Sequence, residues 1–358
     1  MTKSMLLSVH SENHTIHFNE NAYQELYAFL ASASYTKIFI LVDANTYRFC
    51  WEVFVSHLRR NYILECIEIK ADESHKNIAT CLQVWKTLAE KGADRKSVLI
   101  NLGGGVVTDL GGFVASTYMR GMDFIHVPTS LLAMVDASIG GKTGVDLGAL
   151  KNLVGVINVP KMIVIDTSFL ETLPENQLRS GFAEMLKHGL IYDERYWDTL
   201  SEYAIATQND LNELIHESVK IKNAVVMQDL REQGLRKILN YGHTLGHAIE
   251  SYFLNTKKQL LHGEAIAIGM VLATYISHRV TAFPKTKLRH IKKVIRTHFN
   301  RVNFMPEDYH EIIRLLKYDK KNTYGRINFV LLEDIGVPVL DQSVPEALIL
   351  EAFEYYWE

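Results

Sequence analysis

Two histidines stand four residues apart in LNYGHTLGHAIE, residues 239–250: His243 and His247. On a helix, positions i and i+4 share a face. Two imidazoles on one face can seat a metal, as in H-E-x-x-H sites. Here Thr244 follows the first histidine where that motif has Glu, so a protease-type centre is excluded, and whether one or both histidines ligate stays open. A third histidine, His262, opens the next helical stretch in LHGEAIA, and a carboxylate, Glu184, lies upstream in SGFAEMLKHG. One carboxylate with histidines from different helices suits a divalent ion with an open coordination position, such as zinc. The competing reading is an exposed i,i+3 ion pair between Glu184 and Lys187, worth about a few tenths of a kcal/mol. The chain has 15 histidines, so chance clustering competes as well.

Between Glu184 and His243 runs KIKNAVVMQDLREQGLRKILN, which places Lys222, Arg236 and Asn240 on helical segments leading to the histidines. Cations beside a metal point to a substrate with more than one anionic group. Two glycine-rich stretches point the same way. LINLGGGVVTDLGGF, residues 99–113, follows a strand and enters a helix, where glycines let a phosphate approach the backbone and the helix N-terminus adds a favourable field. It lacks the third glycine of G-x-G-x-x-G, with Thr108 in that place, and a tight strand-to-helix turn explains it equally. Asp109 falls in the first helical turn as a cap or an acceptor for a ligand. VDASIGGKTGVD, residues 135–146, is no ATP-hydrolysing loop, because Asp136 stands where the first glycine is required. What remains is Lys142 among glycines, with Lys151 and Asn152 following and Arg120 nearby in YMRGMD: an anion pocket or solvated surface cations.

The elements that must position these residues follow from periodicity. Apolar runs at 37–42, 62–69, 97–102, 124–127 and 162–165 read as strands. They alternate with helical spacing, clearest at 77–91, which ends at Gly92, and this argues for a parallel α/β sheet. Beyond Thr172 the pattern turns helical at 177–191, 211–226, 244–253, 264–280, 287–299 and 306–316, with one strand at 326–332. The expected division is an α/β domain over 1–172 and a mainly helical domain over 173–358.

At 358 residues the chain is long enough for two cores. Its net charge of −3 excludes a nucleic-acid polyelectrolyte and a basic membrane surface. Three cysteines without a C-x-x-C spacing fit a reducing cytoplasm, and the three-residue apolar run near the N-terminus does not make a signal peptide. The longest apolar stretch, 265–276, is too short to span a bilayer and reads as a buried helix.

Taken in order, GGGVVTDLGGF, TYMRG, VPTSLLAMVDASIGGKTGVD, KNLVG, FLETLP, GFAEMLKHG, GLRKILNYGHTLGHAIE, HGEA and YDKK resemble the 3-dehydroquinate synthase family of sugar-phosphate cyclases. The resemblance runs from about Ile38 to Gly336 and is densest between Gly103 and Glu264. It implies a Rossmann-like NAD-binding domain, a helical metal-binding domain and an active site in the cleft between them. NAD would contact Asp43, Asn45, Glu73, Lys76, Gly104, Gly105, Val106, Asp109, Thr129, Ser130, Lys142, Lys151, Phe169 and Thr172. Glu184, His243 and His262 would hold one divalent metal, zinc or cobalt. Arg120, Lys142, Asn152, Lys187 and His247 would hold the substrate phosphate, with Lys320 or Lys321 closing over it. Lys222 and Arg236 would hold a carboxylate, and Asp136, Glu232 and Asn240 also map to the active site, with Lys142, His247, Asp136, Glu232 and Asn240 in the catalytic set.

The implied reaction converts 3-deoxy-D-arabino-heptulosonate 7-phosphate to 3-dehydroquinate and phosphate, a step of the shikimate pathway to the aromatic amino acids. It proceeds by transient oxidation with NAD, β-elimination of phosphate, re-reduction and intramolecular aldol closure. A homodimer is a further implication. Three residues depart from the family pattern: Ser130 for Thr, Asp72 for the Gly before Glu73, and Leu230 for an acid. A metal- and NAD-dependent polyol dehydrogenase would share the fold and the glycine turn, but would not need Lys142, Lys151, Lys187, Lys222 and Arg236 together. A cyclase whose substrate lacks a carboxylate would leave Lys222 and Arg236 buried without an anion, which is costly.

Overall fold

The computed structural model describes residues 6–58, 62–148, 150–203, 211–254, 256–316 and 327–358. The chain divides into two compact units. The first comprises Met1–Pro174 with Lys222–Arg231, and the second Glu175–Ile221 with Glu232–Glu358.

In the first unit, chain order gives β1 (Val9–His10), β2 (Thr15–Phe18), α1 (Asn19–Ala33), β3 (Ile38–Asp43), α2 (Ala44–Phe49), α3 (Trp51–Ser56), β4 (Leu64–Ile69), α4 (Ile78–Glu90), β5 (Val98–Gly103), α5 (Gly105–Thr117), β6 (Asp123–Pro128), β7 (Lys142–Leu147), β8 (Leu150–Ile157) and β9 (Met162–Ile165). Seven of the strands form one sheet in the order β1-β2-β9-β6-β5-β3-β4. All neighbours are parallel except β1 and β2. The apolar runs of the sequence follow from this arrangement. A parallel strand covered on both faces buries every side chain, so it reads as a run rather than an alternation. Phe39, Ile40, Leu41 and Val42 on β3 are completely buried. On one face, Leu110 and Val114 of α5 and Val84 and Leu88 of α4 complete the core with Phe39, Leu41 and Leu99.

The glycine stretch around Lys142 is an antiparallel hairpin, β7 against β8, with Lys142 opposite Ile157. Periodicity alone gives no strand here. Both strands are interrupted by a glycine, Gly144 in β7 and Gly155 in β8, and β8 is mostly solvent-exposed, so neither shows the apolar alternation that marks a half-buried strand.

The second unit contains α6 (Glu175–Tyr192), α7 (Glu194–Glu202), the first turns of α8 (Leu211–Gln228), α9 (His243–Phe253), α10 (His262–Val280), α11 (Lys285–His298), α12 (Pro306–Leu316), β10 (Asn328–Asp334), β11 (Val337–Ser343) and α13 (Glu346–Trp357). α10 is its axis and packs against α6, α9, α11, α13 and β10. The apolar stretch read as a buried helix lies within it. The single strand expected here has a partner: β11 pairs antiparallel with β10. Pro338 and the half-exposed pattern of β11 hid it. Among the described residues, no helix is long and apolar enough to cross a membrane, and Cys50, Cys66 and Cys81 are free thiols.

Two local features make the fold of the first unit testable. Asn101 on β5 and His126 on β6 are register partners in the sheet interior, with Asn101 Nδ2 3.3 Å from His126 Nδ1. Buried His14 has no hydrogen-bond partner on either ring nitrogen. Burial pushes His14 down to about 4 and His126 to about 3. The unfolded chain therefore takes up protons near pH 6.5 that the folded one refuses. Stability should be full above about pH 6.5 and fall as the pH drops towards 4, by up to about 1.4 kcal/mol per pH unit for each histidine. Urea midpoints measured between pH 7.5 and 5 check this, and an unchanged midpoint would overturn it. The second feature is Asp72, with φ 86° and ψ 149°, a conformation close to one reserved for glycine. Asp72→Gly should relieve strain on the order of 1 kcal/mol and raise the melting temperature; a lower value would contradict this.

Candidate active site

In the first unit, the turn at Gly103, Gly104 and Gly105 carries the chain from the end of β5 into α5, with Gly104 at the N-cap and no side chain capping it. One turn into α5, Asp109 forms a 2.6 Å ion pair with Lys76, which is almost fully buried. Glu73 lies 3.8 Å from the same ammonium and 3.0 Å from Lys151 of β8. Burial lowers Lys76 but Asp109 and Glu73 outweigh it, so its ammonium is held above the ordinary lysine range. Four of the residues expected at the cofactor thus form one charged chain from α5 to β8. Asp146 fixes the hairpin to it: its backbone N–H donates to the Lys76 carbonyl and its carboxylate accepts from the Asn152 N–H at 2.7 Å.

The neighbouring expected residues are placed as follows. The Thr129 N–H donates to the Gly103 carbonyl, and Ser130 Oγ accepts from the Ala133 N–H at 3.3 Å. Val106 follows Gly105 in α5. Phe169 is buried, and Thr172 Oγ1 donates to its carbonyl. Asp43 caps α2, accepting from the Thr46 N–H at 2.8 Å, and Asn45 is exposed on that helix. Arg120 is exposed, with a left-handed backbone at φ 71°, and Lys142 is exposed at the start of β7. Lys222, buried near the end of α8, pairs with Asp136 at 2.6 Å. Lys320 and Lys321 lie outside the described residues.

The second unit builds the histidine centre. α6 carries Glu184 and Lys187, and the exposed-pair reading fails here: Glu184 is 0% and Lys187 1% exposed, and the two are in direct ionic contact. α10 approaches α6 and α9 through glycines. A side chain on Gly263 would collide with the Ser180 backbone, and the Gly263 N–H donates to Ser180 Oγ at 2.9 Å. Ser180 is one turn before Glu184, and Gly263 follows His262. That contact therefore sets the carboxylate and the imidazole in register. Gly269 plays the same role against α9, where a Cβ would meet the Gly242 carbonyl oxygen.

The result is convergent. Glu184 Oε1 lies 3.3 Å from His243 Nε2 and 3.4 Å from His262 Nε2. His243 Nδ1 is 3.1 Å from the Tyr241 carbonyl, and His262 Nδ1 is 3.0 Å from Glu250 Oε2. Both acceptors call for a proton on Nδ1, which turns the two Nε2 lone pairs towards the same carboxylate oxygen. Three electron-rich atoms facing one another at this distance suit a cation between them. Neither buried Glu184 oxygen has a hydrogen bond of good geometry, as expected of a carboxylate built to ligate. His247 stands beside them, its ring 5.2 Å from that of His243 and 5.6 Å from that of His262, and the three histidines can present nitrogens within 4.8 Å of one another.

The electrostatics show how strongly the carboxylates draw positive charge to this centre. Burial raises Glu184, but Lys187 and His243 outweigh it and hold the carboxyl well below its usual range. Burial pulls His243 down to about 4 against the attraction of Glu184. Burial also opposes charge on His262, yet its contacts with Glu184 and Glu250 push it up to about 10. Nearby, Arg236 is buried on the 3-10 segment Leu235–Asn240, and Asn240 Nδ2 donates to Glu232 Oε1 at 2.6 Å. Glu250 escaped the sequence reading. It closes the HTLGHAIE stretch at i+7 from His243, and that helical spacing was the available signal.

Comparison with known proteins places these features. Residues 66–180 match the family model for the 3-dehydroquinate synthase N-terminal region, and residues 181–322 the one for its C-terminal region. The 3-dehydroquinate synthase of Parabacteroides distasonis is 41% identical over 336 residues, covering 93% of this chain and 95% of the relative. That of Prochlorococcus marinus is 37% identical, covering 88% and 89%. Among solved structures, 2-epi-5-epi-valiolone synthase from Streptomyces hygroscopicus, with NAD+ and Zn2+ bound, superposes with a TM-score of 0.82 at 25% identity over 100% of this chain and 99% of its own. A 2-deoxy-scyllo-inosose synthase complexed with carbaglucose-6-phosphate, NAD+ and Co2+ gives 0.85 at 24%, covering 98% of this chain and 100% of its own, and shares the fold. A glycerol dehydrogenase from Schizosaccharomyces pombe shares it more distantly, with a TM-score of 0.65 at 14% identity over 99% of this chain and 91% of its own. By family model and by full-length relatives alike, the chain belongs to the 3-dehydroquinate synthase family.

Proposed function

We infer that this chain converts 3-deoxy-D-arabino-heptulosonate 7-phosphate to 3-dehydroquinate and phosphate, with NAD used and restored within each turnover. The observation that carries this reading is the fully buried Glu184, which faces His243 Nε2, His262 Nε2 and Lys187 at once. A polyol dehydrogenase has no use for a buried lysine beside such a centre, whereas a departing phosphate does.

We assign NAD binding to 1–172 and metal and substrate binding to 173–358. Bound NAD supplies a hydride acceptor, and a zinc or cobalt ion held by Glu184, His243 and His262 supplies Lewis acidity towards a substrate hydroxyl. Everything else is placement by the chain's own groups. The charged chain Asp109–Lys76–Glu73–Lys151 holds the glycine turn and the β7–β8 hairpin in one arrangement. Asp43, Asn45, Gly104, Gly105, Val106, Thr129, Ser130, Phe169 and Thr172 line the remaining cofactor contacts.

We assign Arg120, Lys142, Asn152, Lys187 and His247 as donors to the substrate phosphate. Fixed donors stabilise the negative charge that grows on a leaving phosphate and need no rearrangement as it departs. Holding the phosphate in one orientation also lets its own oxygen take the neighbouring carbon-bound proton, and such positioning can be worth several kcal/mol. Lys222, oriented by Asp136, and Arg236 serve the substrate carboxylate. Glu232 and Asn240, hydrogen-bonded to each other, are polar groups available to the ring-closing step.

Incubating the protein with the heptulosonate phosphate, NAD and zinc should release phosphate and 3-dehydroquinate with no net NADH. NADH accumulating in proportion to a polyol would overturn the assignment. His243→Ala should lose metal and turnover together, whereas His247→Ala should keep metal and lose turnover about 100-fold or more. Loss of metal in both variants would instead make His247 a ligand.

We further propose a homodimer. The β7–β8 hairpin exposes Leu147, Leu150, Leu153, Val156 and Ile157, an apolar ribbon of the kind that marks an interaction surface. Sedimentation equilibrium should return twice the 40.8 kDa chain mass; a monomer at assay concentration would overturn it.

A further inference from the structure

We propose that Glu250 is the positioning carboxylate of the histidine centre: it accepts the Nδ1 proton of His262 and fixes the ring whose Nε2 faces Glu184. This deepens the metal assignment above and rests on it. Residues 243, 247 and 250 recur at i, i+4 and i+7 on α9, so one helical face delivers two imidazoles and the carboxylate. Glu250 Oε2 lies 3.0 Å from His262 Nδ1, and its side chain is 13% exposed.

The two expected histidine ligands differ in how they are held. His243 is tightly enclosed, at 9% side-chain exposure, with Nδ1 on the Tyr241 carbonyl. His262 is the first residue of α10 and is 27% exposed, so surrounding atoms alone constrain its ring less. Glu250 supplies the missing constraint. A carboxylate acceptor also makes an imidazole a stronger donor to a cation than a carbonyl does. Charge gives a second reason. Lys187 already offsets the charge of Glu184, so a divalent ion there gains from a further carboxylate close by, and Glu250 is placed to supply it through the ring of His262.

Zinc affinity of the full-length protein, measured by competition with a chromophoric chelator at fixed pH, tests this without reference to turnover. Glu250→Ala should bind zinc 10–100-fold more weakly and change the visible absorption of the cobalt-loaded protein. Glu250→Gln is isosteric and keeps an acceptor oxygen but no charge, so it should fall between Ala and the wild type. Thermal melts of the metal-free variants separate misfolding from loss of affinity, and if Glu250→Ala does not fold, Glu250→Gln decides. Wild-type zinc affinity in either variant would overturn the role of Glu250 and leave the ligand set intact. Failure of the wild-type protein itself to bind zinc or cobalt would instead overturn the ligand set, and this inference with it.

Discussion

A carboxylate with no exposure to water is the constraint on which the second unit depends. Taking Glu184 out of solvent costs several kcal/mol unless charges of opposite sign meet it. The chain supplies Lys187 one helical turn away and two imidazoles from α9 and α10. Those partners arrive on three helices, so the helices must pack closely and in one register. Ser180, Gly263 and Gly269 are the residues through which they do so. The packing of α10 and the chemistry of the centre are therefore one problem: a shift of one turn in α6 against α10 would strand a buried charge.

The first unit solves a related problem differently. Lys76 is nearly as buried as Lys187, but its partners Asp109 and Glu73 come from the turns around the sheet's carboxyl edge, where ligands of parallel α/β sheets sit. The pairing extends through Lys151 into β8, so the hairpin is tied to the sheet by charge and by the backbone of Asp146 as well as by Val145, which is buried in the core with α4 and α5. A hairpin of this size is only marginally stable alone; here the charged chain and the buried Val145 hold it in place.

Much of this was legible in the sequence, for identifiable reasons. The runs at 38–42 and 98–102 announced doubly covered strands because no polar residue interrupts their burial apart from Asn101, itself paired to His126. The histidine spacing on α9 was explicit. What the sequence left open was depth. Glu184 and Lys187 at i,i+3 read identically on a solvated face and in a core, since the helix that buries them is supplied by residues about eighty positions away. β7–β8, β11 and Glu250 were hidden for kindred reasons: two strands each interrupted by a glycine, one interrupted by Pro338, and a carboxylate whose partner lies on the next helix. Lys320 and Lys321 fall outside the described residues.

The hydrogen bond from Gly263 to Ser180 also has a meaning for the folding of the chain. It joins segments 83 residues apart in sequence, and closing so long a loop brings no reward until both ends are in place. Helices α6, α9 and α10 can each form early, yet none of them alone carries the full ligand set. Competence for the ion is thus a property of the assembled second unit, acquired late and all at once, so the ion would favour the completed unit over every partly assembled precursor.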